Sequence, residues 1–318
     1  MIISVKKLMK RFDDYMVLDR LSLDVEEGEI YGVLGPVGSG KTTLMQCLLT
    51  LVSFDKGSIK LFGENLTNMK NFMKKRIGVC FDQNAVFETL SVYDNLYYFG
   101  NLYIKNKRET EQAVEQVMVK TGLKEYKKIC CSKLDEGRQR LLNFACSIVH
   151  NPDLILIDDG FTTCEMKVRN RIYECVRTLR NEGKTILLMT HSVEEAEEIC
   201  DKIAIMDRGR ILAHGTKEEL KKSISLGERI RIHVFHISHE QLAGIQSIPG
   251  VFFVSYEKEI LTVKSKKGRN NLLYILSFLK ENEIAIGEIV SELPTLNDVF
   301  GELSGRQFSK WEKSGNNK

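Results

Sequence analysis

At 318 residues the chain has room for one large domain and a small one, and 43% hydrophobic with 28% charged residues is enough to bury a core. A formal net charge of +3 is too small to mark a nucleic-acid binder, so pairs such as Lys221-Lys222 and Lys266-Lys267 read as solvated faces. No apolar stretch is long enough to span a bilayer, and the eight cysteines, Cys130-Cys131 included, lack metal-ligand spacing, as in free thiols of a reducing compartment.

The opening "MIISVKKLMK" alternates like a strand and lacks the apolar core and cleavage site of a signal peptide. From there to about residue 217, short β-branched runs alternate with helical patterns. "EIYGVLG", "RIGVCF", "LILID" and "TILLMT" are compact apolar strands, the pattern of a sheet covered on both faces. Between Asn84 and His150 the pattern turns helical, as in "EQAVEQVMVKTGL", so a helical subdomain is expected to interrupt the sheet. After "GRILAHGT" comes a charged helical connector, "KEELKKSI", and the linker is read over 218–228. A small α+β domain is expected over 229–303, in the order βαββαβ of a ferredoxin-like unit, with a tail over 304–318 whose last residues, "SGNNK", read as disordered. His233, His236 and His239 lie across a strand and its exit with no carboxylate or thiol partner, and are read as incidental.

The most specific motif is "GPVGSGKTT", which fits G-x-x-x-x-G-K-[ST] between an apolar strand and the helical pattern "TTLMQCLLTL". In the loop Gly35, Pro36, Val37, Gly38, Ser39 and Gly40 the glycines would let backbone N–H groups converge on the β-phosphate, and the helix N-terminus would add its positive dipole end. Lys41 is expected to reach the β- and γ-phosphates, Thr42 to ligate Mg²⁺ and Thr43 to touch the α-phosphate. The motif implies a nucleoside triphosphate.

With that loop in place, the chain resembles the ATP-binding cassette (ABC) ATPases over nearly its whole length. "CFDQNAVFETLSVYDNL" looks like the family's glutamine loop, which would set Gln83 near Mg²⁺ and the attacking water. "LILIDDG" looks like the Walker B strand, with Asp158 as the magnesium carboxylate. "LLMTHSVEEAEEICDKIAIMDRGRILAHGT" is similar to the histidine-switch region, which gives His191. "KRFDDYMVLDRLSL" is similar to the segment whose aromatic stacks on adenine, which implies Phe12, with Val17 beside the ring. The C-terminal unit, ending in "TLNDVFGELSGR", resembles the tail of drug- and antibiotic-export subunits. The expected fold is therefore α/β, a P-loop ABC ATPase domain with a helical subdomain and a small α+β C-terminal domain.

Three places depart from the family pattern. Asp159 and Gly160 follow Asp158 where the family has glutamate and proline. The signature, usually Leu-Ser-Gly-Gly before a Gln-Arg pair, aligns with "KLDEGRQR", which puts Leu134 in the serine position and Asp135-Glu136 in those of the glycines. The next loop reads "TTCE", with Glu165 where aspartate is usual. Asp159 keeps a base but retracts it by one methylene, and a displacement near 1 Å can cost about 100-fold in rate.

The resemblance implies an energy-coupling ATPase subunit of an exporter, peripheral on the cytoplasmic face of the membrane, with ATP and Mg²⁺ as cofactors. Its partners would be a separate transmembrane permease, docked on "NAVFETLSVYDNLYYFGNLY", and a second ATP-binding subunit, identical or not; no nucleic acid is implied. Hydrolysis should be slow, and the alternative is a non-hydrolysing ATP-binding regulatory or structural subunit of such a complex.

Overall fold

The structure is a computed structural model, and it describes residues 1–66, 71–83, 85–162, 164–266 and 271–305. Most of the stretch read as a tail, residues 306–318, lies outside the described residues, as do Asn84 of the glutamine loop and Thr163. The chain divides into two compact units, Met1–Thr216 and Lys217–Lys318.

The first unit opens with two long antiparallel strands, β1 (Ile3–Phe12) and β2 (Tyr15–Val25). Next come β3 (Ile30–Leu34), α1 (Lys41–Leu48), β4 (Lys56–Leu61), β5 (Glu64–Asn65), α2 (Asn71–Lys74) and β6 (Ile77–Cys80). A helical stretch follows: α3 (Val92–Asn101), α4 (Lys107–Thr121) and α5 (Glu136–Ile148). Each of these helices starts on a side-chain cap, Ser91, Asn106 and Asp135 in turn, which satisfies backbone donors that the first turn leaves open. The chain then returns through β7 (Leu154–Ile157), α6 (Met166–Asn181), β8 (Thr185–Thr190), α7 (Val193–Ile199), β9 (Lys202–Asp207) and β10 (Arg210–Gly215).

Two sheets result. One is antiparallel, in the order β2-β1-β4-β5; the other runs β10-β9-β3-β8-β7-β6, parallel except for β10 at its edge. Every residue of β3, β7 and β8 is buried, because both faces of the parallel sheet are covered. Leu8, Leu21 and Ile59 of the first sheet, Leu44 and Leu48 of α1, and Val33, Leu156 and Leu187 of the second share one buried cluster. Each such side chain contributes roughly 1.5–3 kcal/mol on burial. That cluster fixes α1 against the parallel strands whose C-terminal ends carry the site.

The second unit comprises α8 (Lys217–Ser223), β11 (Leu226–Val234), α9 (His239–Gln246), β12 (Val251–Glu257), β13 (Ile260–Lys266), α10 (Asn271–Glu281), β14 (Ile286–Glu292) and α11 (Leu296–Ser304). Its antiparallel sheet has the order β12-β13-β11-β14, and Ile230, Ile232, Leu261 and Val263 pack against Ile245, Ile275 and Leu279. This is the ferredoxin-like α+β arrangement expected from the βαββαβ order. The expected connector helix "KEELKKSI" is α8, and residues 218–228, read as a linker, are most of that helix and the start of β11. Their charge hides an apolar stripe: Leu220, Ile224 and Leu226 are buried, and α8 packs on α11.

Candidate functional site

The chemistry-bearing residues stand at the C-terminal ends of adjacent parallel strands, the usual place for a ligand in such a sheet. β3 ends at Leu34, and the loop Gly35–Gly40 leads directly into α1. Gly35 is confined there, since a Cβ would lie 2.3 Å from the Met206 carbonyl oxygen, and Gly40 holds a left-handed φ of 106°. Lys41 folds back over the loop, its Nζ donating to the carbonyls of Gly35 (2.7 Å) and Pro36 (3.0 Å). Burial lowers its pKa to about 8, opposed by the charges of Asp159 and Asp158.

Asp158 and Asp159 leave the end of β7. Asp158 is buried, and the Thr42 hydroxyl donates to its Oδ1 at 3.4 Å. Burial holds Asp158 above the usual carboxylate range despite that bond, and the neighbouring charge of Asp159 adds to the rise. Asp159 sits at φ 51°, and its Oδ1 lies 2.5 Å from Nδ1 of His191 at the end of β8. Burial alone would raise Asp159, but the His191 bond and charge, with Lys41 and Arg140 behind, bring it below its ordinary value. The same bond raises His191 against its own burial. Gln83, past the end of β6, is exposed.

A cavity of about 860 Å³ joins these groups: Lys41, Thr42, Thr43, Gln83, Asp158, Asp159 and His191 all line it, as do Val37, Gly38 and Gly40. The aromatics on its wall are Tyr15, next to Val17, and Phe81; Phe12, to which the sequence pointed, is not among the lining residues. Phe12 and Tyr15 are cross-strand partners over the tight Asp13-Asp14 turn, so the aromatic position slips from one strand to the other at the hairpin tip. The Phe12 ring instead lies 4.8 Å from the Lys10 ammonium.

Two further residues escape the motif search. Glu195 of α7 is 2% exposed and accepts hydrogen bonds from the Phe161 N–H (2.8 Å), the Tyr173 hydroxyl (3.0 Å) and the Thr190 hydroxyl (2.6 Å). It thereby ties the segment after Asp159 to the residue before His191. A Cβ at Gly160, where φ is 25°, would fall 1.8 Å from a Glu195 carboxylate oxygen, so the carboxylate occupies the room a side chain would need. Arg140 of α5, also buried, donates to the carbonyls of Phe81, Asp82, Asp158 and Gly160, which locks the exits of β6 and β7 together. Gly160 after two aspartates was the only sequence signal for the first, and the Gln-Arg pair for the second.

In the signature region Leu134 is buried, and Asp135 caps α5 by accepting the Arg138 N–H at 2.8 Å while also pairing with the Arg138 guanidinium. A second cavity, about 280 Å³, is lined by Asp82, Asp135, Glu136 and Glu165, with Arg140 at its wall.

Residues 18–162 match the family model described as "ABC transporter". The chain is 31% identical over 305 residues to "Daunorubicin resistance ATP-binding protein DrrA3" of Streptomyces coeruleorubidus, covering 95% of this chain and 96% of that one. It is 34% identical over 312 residues to "Nod factor export ATP-binding protein I" of Burkholderia thailandensis, covering 96% and 98%. Among solved structures it superposes on "Structure of ATP binding subunit of ABC transporter" with a TM-score of 0.64 and 22% identity, over 70% of this chain and 93% of that one.

Proposed function

The chain belongs to the ABC transporter family of ATP-binding proteins, and on that premise we propose that it is the energy-coupling subunit of an exporter, hydrolysing ATP slowly to drive a separate transmembrane permease. The observation that carries this reading is the single cavity that brings the phosphate loop, Asp158, Asp159, His191 and Gln83 together. Lys41 exchanges its loop carbonyls for the β- and γ-phosphates, Thr43 meets the α-phosphate, and Tyr15 and Val17 flank the adenine.

Thr42, Asp158 and Gln83 are suited to Mg²⁺. Their donors are hard oxygens, two of them already 3.4 Å apart, and Mg²⁺ favours one or two protein oxygens completed by phosphates and water. Among the described residues no group of three His, Cys, Asp or Glu side chains could hold a softer ion. When bound, Mg²⁺ neutralises charge on the β- and γ-phosphate oxygens. Asp159, held ionised by His191, accepts the proton of the attacking water. A base with a depressed pKa has little driving force at neutral pH, which supports slow turnover.

Among the described residues no helix is long and apolar enough to cross a membrane. In this reading the subunit works on the permease from the cytoplasmic face. The docking surface is centred on α3, where exposed Tyr98 packs edge to face at 4.9 Å on exposed Phe87 of the preceding loop. A second ATP-binding subunit completes the sandwich. The relatives named for daunorubicin resistance and Nod factor export support the export direction.

The test is ATP turnover of the chain alone and co-purified with its permease. Turnover that rises in the complex and falls in the Asp159→Asn variant supports coupling. ATP binding without turnover in either form would replace this reading with that of a non-hydrolysing regulatory or structural subunit. The acidic cavity beside α5 favours that second reading, because carboxylates there would face a partner's phosphates.

A further inference from the structure

Besides the extra residue Val17 near the hairpin tip, the antiparallel sheet has three irregularities in the middle of β1, and these coincide. On β1, Lys6 and Lys7 together oppose Ser22 alone, the register passing from Val5↔Leu23 to Leu8↔Leu21. On β2, Asp19 and Arg20 together oppose Met9, the register passing from Leu8↔Leu21 to Lys10↔Leu18. On the other side of β1, Lys7 and Leu8 oppose Gly57, between Lys6↔Ser58 and Met9↔Lys56. Three bulges thus meet within a few residues, and such clusters re-aim side chains and recur at functional sites.

The backbone shows the cost of the arrangement. Lys7 (φ 49°) and Arg20 (φ 52°) both adopt the left-handed conformation that non-glycine residues avoid. Gly57 has φ 102°, and a Cβ on it would lie 2.6 Å from the Lys7 carbonyl oxygen. Successive strand residues normally point to opposite faces. Here Val5 and Leu8 are buried while Lys6 and Lys7 are both exposed, so the bulge turns two cations to one side.

They line a cleft of about 640 Å³ with Arg20 and Lys56, and with the hydroxyls of Ser22 and Ser58. No carboxylate is among its lining residues, and among the described residues none of the four cations makes an ion pair. The Lys7 N–H donates to the Ser22 hydroxyl oxygen at 3.0 Å, which leaves that hydroxyl's own proton to donate into the cleft.

We propose that this cleft binds a compact, multiply charged phosphate group, at a site separate from the ATP cavity. Four uncompensated cations at one recess call for an anion of more than one charge. An arginine fork and hydroxyl donors suit phosphate oxygens, and the volume is that of a small-ligand pocket. The group can come from a soluble phosphate ester or from a phospholipid headgroup, which the experiment separates.

Inorganic pyrophosphate is titrated into the full chain by calorimetry at about 0.15 M salt, where distant surface charges are screened. Wild type should show binding beyond the phosphate loop, weakened at least tenfold in Lys6→Gln/Lys7→Gln/Arg20→Gln with ATP affinity unchanged. Lys105→Gln/Lys107→Gln/Lys124→Gln, which removes the same charge elsewhere, should leave it intact. Lys6→Gln/Lys56→Gln, which spares both left-handed positions, should reproduce the loss without any change in unfolding temperature. Cosedimentation with phosphatidylcholine vesicles, with and without phosphatidic acid, whose phosphomonoester headgroup can carry two charges, forms the second arm. Binding to the anionic vesicles that the cleft variants lose identifies a headgroup; pyrophosphate binding alone identifies a soluble ester. Equal loss in the control variant, or no binding in either arm, overturns the proposal.

Discussion

Gly160→Ala probes the contact between the segment after Asp159 and the buried Glu195. The new methyl carbon would stand 1.8 Å from one Glu195 carboxylate oxygen and 2.5 Å from the other, so the carboxylate must leave its place. It would then lose bonds from Phe161, Tyr173 and Thr190 in a region closed to water. Hydrogen bonds to a charged group contribute about 1.5–3 kcal/mol each, so losing two costs roughly 3–6 kcal/mol. The left-handed backbone adds about 1 kcal/mol for alanine. A total above about 4 kcal/mol is exceptional for one substitution. In the Glu195→Ala background the obstruction is gone, and only the backbone cost of about 1 kcal/mol should remain. The four proteins of the cycle can be compared by denaturant unfolding, with a coupling of at least about 2 kcal/mol expected. Effects that add to within about 0.5 kcal/mol would show that Gly160 and Glu195 do not share this space.

Four other outcomes follow from the site. Lys41→Ala should weaken ATP binding at least tenfold, about 1.4 kcal/mol by calorimetry. Because burial lowers Lys41 to about 8, while bound phosphate would favour its charged form, ATP binding above pH 8 should take up a proton, absent in Lys41→Met. From the same shift, Lys41 binds fewer protons folded than unfolded between about pH 8 and 10.5, so its contribution to nucleotide-free stability should rise with pH there and vanish in Lys41→Met unfolding curves. Asp159→Asn should lower steady-state turnover; Asp159→Glu should raise it, provided that glutamate is accommodated at φ 51°.

Much of this site was legible because its motifs tie residue type to backbone geometry. A phosphate loop needs glycine where Gly35 meets the Met206 carbonyl, and an apolar strand running into Asp158-Asp159 brings those carboxylates to the C-terminal end of the sheet. What the sequence concealed depends on distant contacts. Glu195 sits in an acidic helical run that looks like a solvated face, and only the fold buries it beneath Gly160. Tyr15 and Phe12 are equally aromatic and three residues apart, so hairpin geometry, not composition, decides which reaches the cavity. The helix of the charged connector was legible, but its charges outnumber Leu220 and Ile224, the residues that anchor it within the second unit.

The signature turn combines both kinds of information. In a motif running Leu-Ser-Gly-Gly, a buried leucine followed by a helix cap describes Leu134 and Asp135, which moves Asp135 to the serine position and Glu136 to the first glycine. A carboxylate about 5 Å from a partner's γ-phosphate would cost roughly 3 kcal/mol per charge pair at an effective dielectric near 20. The two acids do not bear that cost equally. Asp135 is bound to Arg138 and to the α5 backbone, so at a distance its charge is largely offset. Exposed Glu136 makes no ion pair among the described residues, and it lines the same cavity as Asp82 and Glu165. Blocking of an ATP sandwich should therefore reside mainly in Glu136. With Asp159→Asn as background and Mg-ATP present, Glu136→Gly alone should shift the mass in solution toward dimer. Asp135→Ser, which keeps a cap, should add little. If the parent already dimerises tightly, or only the double substitution acts, the repulsion is not concentrated in this side chain.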